Sequence, residues 1–404
     1  METKSGEQLN ILFFPYMVQG HIIPLTHIAK LFSSRGVKST IITTPVNAPF
    51  ITKATQRSKS TLAFDQKIEL VLIKFPSAEV GLPEECERAD LITTPEMEGK
   101  FFTATRLLEP QLEQILDQHR PHCLVADFFF PWATDVAAKF GIPRLYFHAT
   151  GLFPLCATLS VMIHQPHKNL LSETESILDD EAEFSKFWKA ALECEKRSYG
   201  VIINSFYELE PDYADHYRKV YGRKTWHIGP VSLFDKAAEN MAAAEQHQCF
   251  KWLDSKKPNS VVYVCFGSMI NFADCQLLEI AAGLEASGQD FIWVVKKQKK
   301  EIEEWLPEGF EKRMQVGAFL SHCGWNSVLE GVSAGIPMMT WPVFADHFYT
   351  EKLVTQILRV GVGVGAEKWV SFVDESLKSE ASVKRQAIEK AVTIESWRVM
   401  KQRK

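Results

Sequence analysis

The stretch Ala318–Phe348, AFLSHCGWNSVLEGVSAGIPMMTWPVFADHF, decides how the chain is read. It begins inside the short apolar run GAFLS (317–321), continues through the helix-patterned NSVLEGVSAG (326–335) and returns to a second apolar run, IPMMTW (336–341). Short strands that are apolar on nearly every residue suit a sheet covered on both faces. A strand, helix and strand in this order predict a βαβ unit with a parallel sheet. The turn between the first strand and the helix holds His322, Gly324, Trp325, Asn326 and Ser327.

The same rhythm extends outward in both directions. Towards the amino terminus VVYVCFGS and DFIWVV read as strands of the same half. Before them lies DKAAENMAAAEQHQ (235–248), polar and alanine-rich, which reads as a linker. The first half repeats the pattern with NILFFP, the helical PLTHIAKLFSSRG, KSTIITT, IELVLIKF, HCLVADFF, PRLYFH and GVIINS. The expected organisation is α/β: a Rossmann-like domain over 1–233, a linker over 234–258, and a second Rossmann-like domain over 259–404. Both are doubly wound and face each other across a cleft. At 404 residues, 46% of them hydrophobic, the chain is long enough for each domain to bury its own core.

Charge and composition narrow the partners. A formal net charge of -5, with no surface-like run of interleaved basic and aromatic residues, excludes nucleic acid as an expected partner. The apolar run after the polar start METKSGEQLN is too short and interrupted for a signal peptide or membrane span. The eight cysteines include no C-x-x-C pair, and Cys123 and Cys265 sit in apolar strand-like runs, so a reducing, cytoplasmic setting is expected. No D-x-D pair is present to hold a divalent ion at a sugar diphosphate, and no metal is expected.

Ligands of doubly wound sheets bind at the carboxyl ends of strands. In the first half His21 follows one strand and Asp127 ends another. A carboxylate accepting the imidazole Nδ1 hydrogen would fix the tautomer and leave Nε2 free to take a proton from a bound hydroxyl. The two could equally be a helix-start histidine and a capping aspartate. In the second half the turns at Gly267–Ser268 and His322–Ser327 offer backbone amides, and the helix start beyond the second suits an anion such as a diphosphate. Ser327 and Glu330 also have capping-box spacing, and Trp325 and Trp341 could be core. GVGVGAEKW carries G-x-G-x-x-A without the following helix and strand of a dinucleotide site. His164 and His167 in HQPH have metal-like spacing but no third ligand nearby, and a proline loop explains them.

HCGWNS, Glu330, GIP and TWPVFADH together resemble the signature box of plant secondary-product UDP-glycosyltransferases. FPYMVQGHIIP, LVADFFFPWATDVAAKFGIPR, VIINSFYELEPDYADHY and KWLDSKKPNSVVYVCFGS are similar to the same family along most of the chain. The resemblance implies a GT-B fold whose first half binds the acceptor and whose second half binds the UDP-sugar. It implies His21 as base and Asp127 as its partner, Ser268 and His322 facing the diphosphate, and Asn326 and Ser327 assisting at the helix start. Glu330 would hold the ribose hydroxyls, and Trp325, Asp346 and His347 would line the sugar. The reaction implied inverts α to β, uses a UDP-sugar as its donor without further cofactor, and glycosylates a small phenol such as a flavonoid or coumarin. Phe129, Phe130, Trp132, Phe147 and Phe153 would either line the acceptor or pack the core.

The chain also departs from the family pattern. Met314 runs directly into Gln315 where the family carries a strand and a W-x-P-Q segment, whose tryptophan stacks on uracil. The family's proline-rich loop is absent at LLSETESILDD, its final helices are not expected after Lys404, and His347 stands where glucosyl-transferring members have glutamine. Two expectations follow: an active hexosyltransferase, or a shortened form that holds an aglycone and turns over little.

Overall fold

The computed structural model describes residues 8–56, 68–166, 183–233, 252–257, 260–296, 318–371, 373–374 and 381–393. The chain divides into two compact units, Met1–Ala242 and Ala243–Lys404. The expected linker lies mostly outside the described residues, as do His167 and the Met314–Gln315 join.

The strands of the first unit are β1 (Asn10–Phe14), β2 (Lys38–Thr43), β3 (Glu69–Leu72), β4 (Cys123–Asp127), β5 (Arg144–His148), β6 (Gly200–Ile203) and β7 (Thr225–His227). Its helices are α1 (Gln19–Ser33), α2 (Ala48–Gln56), α3 (Pro95–Arg106), α4 (Glu109–His119), α5 (Ala133–Lys139), α6 (Leu152–His164), α7 (Glu183–Arg197) and α8 (Pro211–Val220). All strand pairs are parallel, in the order β3-β2-β1-β4-β5-β6-β7. Alternate residues serve opposite faces of this sheet. Tyr146, Val201 and Ile203 join a core with Leu155 and Tyr217, whereas Phe147 and Ile202 join another with Leu25 and Ile28. That explains the nearly continuous apolar runs: both faces are covered.

The second unit contains β8 (Val261–Cys265), β9 (Asp290–Val294), β10 (Phe319–Ser321), β11 (Met338–Thr340) and β12 (Gly361–Gly363). Its helices include α9 (Asp274–Ala286), α10 (Trp325–Ser333), α11 (His347–Lys352) and α12 (Arg385–Val392). Among the described residues the sheet is parallel in the order β12-β11-β10-β8-β9. β10 pairs directly with β8, Ser321 opposite Cys265, so the sheet is continuous from β12 to β9. Its core gathers Val262, Val264, Leu320, Met339 and Trp341.

One local reading changes. The first helix does not start at Pro24: the amides of His21 and Ile22 both reach the Val18 carbonyl, at 3.0 and 2.9 Å, so α1 begins at Gln19. Pro24 is inside it, early enough that its missing N–H removes a single helical bond. Within GVGVG, Gly361–Gly363 is strand β12, at the edge of the sheet among the described residues. A side chain at Gly361 would meet Val354 Cγ1 at 2.5 Å and the Met338 carbonyl at 2.9 Å, so packing between neighbours requires that glycine.

Candidate active site

In each sheet the chain reverses its direction of growth at one place, and the loops leaving the strands there diverge to form a crevice. In the first unit that place is between β1 and β4. His21 and Asp127 are carried by the segments leaving those two strands, which pair with Phe14 opposite Ala126. In the second unit it falls between β8 and β10, so Gly267–Ser268 and His322–Ser327 flank it.

His21 stands at the third position of α1 and its Nδ1 is 2.7 Å from Asp127 Oδ2. A carboxylate only accepts, so Nδ1–H donates and Nε2 is left as the basic nitrogen. Asp127 is fully buried, and its other oxygen accepts the Phe129 amide at 3.1 Å. The helix start, a strand end and one turn amide thus hold the pair. Tyr16 lies edge-on to His21 at 5.8 Å. Burial first, then the charges of Asp127 and Glu98, push its phenol far above the ordinary value, so it stays protonated beside the imidazole.

The aromatics divide by position. Phe130 stacks on Phe14 at 4.2 Å and Phe147 is fully buried, so both are core and neither lines an open slot. Phe129 is half-buried, 5.6 Å from the His21 ring and stacked on Tyr16 at 4.3 Å. Trp132 and Phe153 are also half-buried, Phe153 packing edge-on to Tyr213.

In the second unit the ring of His322 occupies a notch between two glycines. A Cβ on Gly267 would come within 2.6 Å of its Nε2, and a Cβ on Gly324 within 2.4 Å. Gly267 also has a φ of 71°, which a side chain resists. The two turns therefore meet at His322, next to Ser268. Burial pushes the imidazole down to about 4, against a small opposing effect of the Cys265 backbone, so it is neutral at physiological pH. His347 packs edge-on against it at 4.9 Å, and burial, with His322 adding, holds His347 well below its ordinary value. Nδ1 of each ring is buried without a hydrogen-bond partner.

The capping box is not formed. Gly324 is the N-cap of α10, without a side-chain cap, and Ser327 is already the third helical residue. The turn through Cys323, at a φ of 68°, sets this start three residues earlier than the Ser-x-x-Glu spacing suggests. Asn326 and Ser327 are half-buried in the first turn, where the helix dipole favours negative charge, and Glu330 is exposed in the second. Trp325 is buried at the helix start, and Trp341 packs against Phe266 and Phe272 in the core. Asp346, half-buried, is the N-cap residue of α11 and precedes His347.

Two buried polar groups escaped the sequence reading. Arg144 donates to the Asp127 carbonyl at 2.8 Å, and Glu195 accepts from His148, Tyr217 and Arg223. The available signal was an arginine opening, and a histidine closing, an otherwise apolar strand.

Residues 228–366 match the family described as UDP-glucoronosyl and UDP-glucosyl transferase. The chain is 62% identical to UDP-glucose flavonoid 3-O-glucosyltransferase 7 of Fragaria ananassa, over 97% of this chain and 89% of that one. That alignment runs over 440 positions against 404 residues here, so it opens gaps in this chain. Scopoletin glucosyltransferase of Nicotiana tabacum is 47% identical over 93% of this chain and 88% of its own length. The crystal structure of Glycyrrhiza uralensis UGT73P12 with glycyrrhetinic acid 3-O-monoglucuronide superposes with a TM-score of 0.80 at 34% identity, covering 98% of this chain and 90% of that one. The architecture is GT-B.

Proposed function

The chain belongs to the UDP-glycosyltransferase family, and on that premise we propose that it moves a hexose from a UDP-sugar to a hydroxyl of a phenolic plant metabolite, a flavonoid or coumarin. The carrying observation is the 2.7 Å contact between His21 and Asp127 at the point where the first sheet reverses its growth. His21 Nε2 takes the phenolic proton as the oxygen attacks the anomeric carbon. The carbon–oxygen bond to UDP breaks on the opposite side, inverting α to β. A phenol with an ordinary pKa of about 10 is almost wholly neutral in the cell, so a base in reach speeds the step about 10²–10⁴-fold. Asp127 stabilises the imidazolium and Phe129 supplies an apolar wall beside it.

The departing diphosphate is received by Ser268, by neutral His322, and by the start of α10 with Asn326 and Ser327. Glu330 holds the ribose hydroxyls; Trp325, Asp346 and His347 border the sugar. These groups stabilise the leaving charge as hydrogen-bond donors and helix dipole, so the reaction as read here needs no metal. The reading as a shortened form without turnover has less support, because the second sheet is continuous and the relatives are transferases. Among the described residues no helix is long and apolar enough to cross a membrane, and the seven described cysteines are free thiols, which fits the cytosol.

Purified protein given UDP-glucose or UDP-galactose with a flavonol is expected to release UDP and form the glycoside; no UDP release with any UDP-sugar overturns the reading. A neutral imidazole offers one donor and one acceptor, a carboxamide two donors and a carbonyl. In competition between the two donors, His347→Gln is expected to move the product ratio towards glucoside by about 5-fold, the equivalent of one neutral hydrogen bond. An unchanged ratio would count against His347 as a reader of the sugar.

A second expected outcome concerns Gly324→Ala. The added Cβ fits the backbone, whose φ is -59°, but displaces the His322 ring. UDP affinity by calorimetry should fall about tenfold, ~1.4 kcal/mol, with the fold intact by circular dichroism. Unchanged affinity would remove His322 from the diphosphate site.

A further inference from the structure

Arg144 opens β5, is 2% exposed, and lies over the Tyr146 ring at 4.1 Å. Among the described residues no carboxylate hydrogen-bonds its guanidinium. Nη1 donates to the Pro131 carbonyl at 3.1 Å and to Thr134 Oγ1 at 2.6 Å; Nη2 donates to the carbonyls of Asp127 at 2.8 Å and Ala126 at 3.4 Å. Nε has no partner. A buried cation served by neutral oxygens alone is costly, and an apolar side chain of the same length would fill the space at less cost.

All four acceptors belong to one piece of chain, from the end of β4 to the first turn of α5. That piece begins with Asp127, whose carboxylate takes the His21 and Phe129 hydrogens. Tyr146, beneath the guanidinium, shares its one hydroxyl hydrogen between the Phe128 and Ala191 carbonyls, each at 3.1 Å. The chain from Ala126 to Thr134 is thus held by Arg144 at four oxygens, in addition to the strand pairing that sets Asp127 opposite Phe147 and the Phe128 amide on the Phe147 carbonyl at 3.1 Å.

We propose that Arg144 is a positioning residue for glycosyl transfer: its guanidinium fixes the backbone on which Asp127 presents its carboxylate to His21. The inference rests on the reading of His21 as the base. Its consequence is a coupling, because an arginine acting through Asp127 has nothing left to position once that carboxylate is removed.

The test is a cycle of Arg144→Met, Asp127→Ala and the double variant, measuring kcat, both KM values and UDP affinity, with Arg144→Lys and His21→Ala in the same assay. Arg144→Met is expected to lower kcat about 10–100-fold through misplacement of the pair, with UDP affinity and donor KM unchanged. Arg144→Lys, which keeps a donor to some of the carbonyls, should recover part of it. In the Asp127→Ala background Arg144→Met should cost no more than about twofold further, as coupled sites do. Full multiplication of the two losses, or wild-type turnover by Arg144→Met, overturns the proposal. If Arg144→Met does not fold, the cycle is run with Arg144→Lys and read by the same criterion. Wild-type turnover by His21→Ala would instead bring down the base reading itself; an inactive His21→Ala with multiplying losses brings down only the positioning role.

Discussion

His21→Ala is expected to lower turnover on a phenolic acceptor by about 10²–10⁴-fold while leaving UDP affinity at its wild-type value. The substitution removes the imidazole that Asp127 orients, and with it the proposed acceptor of the phenolic proton. Neighbouring groups cannot take over: Tyr16, edge-on to the ring, is held protonated by burial and by the Asp127 charge. In the proposed function UDP is held by β8, β10 and α10, which belong to the other unit. Asp127→Ala should cost less than His21→Ala, since the imidazole survives and loses only its orientation and its countercharge. Steady-state kinetics with calorimetry of UDP decides the matter, and equal turnover of wild type and His21→Ala would dismiss the mechanism.

Glu195→Ala is expected to destabilise the first unit by about 3–5 kcal/mol, the cost of stripping one partner from a buried charged cluster. The carboxylate is 2% exposed and accepts from His148 Nε2 at 2.7 Å, Tyr217 at 2.7 Å and Arg223 at 3.0 Å. It ties α7 to α8 and to the end of β5, and alanine would leave three polar groups without their acceptor. Burial alone would raise this carboxyl; the hydrogen bonds from His148, Tyr217 and Arg223 prevail and hold it below the ordinary value. An acid lowered on folding stabilises the native state above its unfolded pKa, about 4.3, and that contribution disappears as pH falls through the lower folded value. The gap between wild type and Glu195→Ala in urea unfolding should therefore be full at neutral pH and shrink below about pH 4. A gap under about 1 kcal/mol at pH 7 would show that the cluster is not a stabilising hub.

What the sequence disclosed and what it withheld follow from the range of the interactions. HCLVADFF and GAFLS announce buried strands because both faces of a doubly wound sheet are covered, and that information is local. The residues after such strands are the ones worth reading, which is how His21, Asp127, Ser268 and His322 could be picked out. Local patterns failed where a longer-range constraint set the register. Ser327 and Glu330 have capping-box spacing, yet the turn at Cys323 starts α10 early and puts Ser327 inside it. Phe130 and Phe147 sit in apolar runs like their neighbours: Phe147 is buried because both faces of its sheet are covered, and Phe130, beyond β4, because it stacks on Phe14. Arg144 and Glu195 were silent because their partners are supplied by other elements: Glu195 lies 47 residues from His148.

The hydrophobic interiors described above share no residue. One pair encloses the sheet of β1 to β7, and another is built wholly from residues after Val261. With the acceptor and donor sites as proposed, acceptor choice and donor choice are separable traits. On the proposed reading, drift around Phe129, Trp132 and Phe153 would retune the aglycone without repacking anything beneath His322, and a change at His347 would alter the sugar without touching the acid–base pair. Chimeras joining the first unit of one relative to the second unit of another would keep each interior whole, so this chain plan lends itself to exchange of halves as a route to new glycosides.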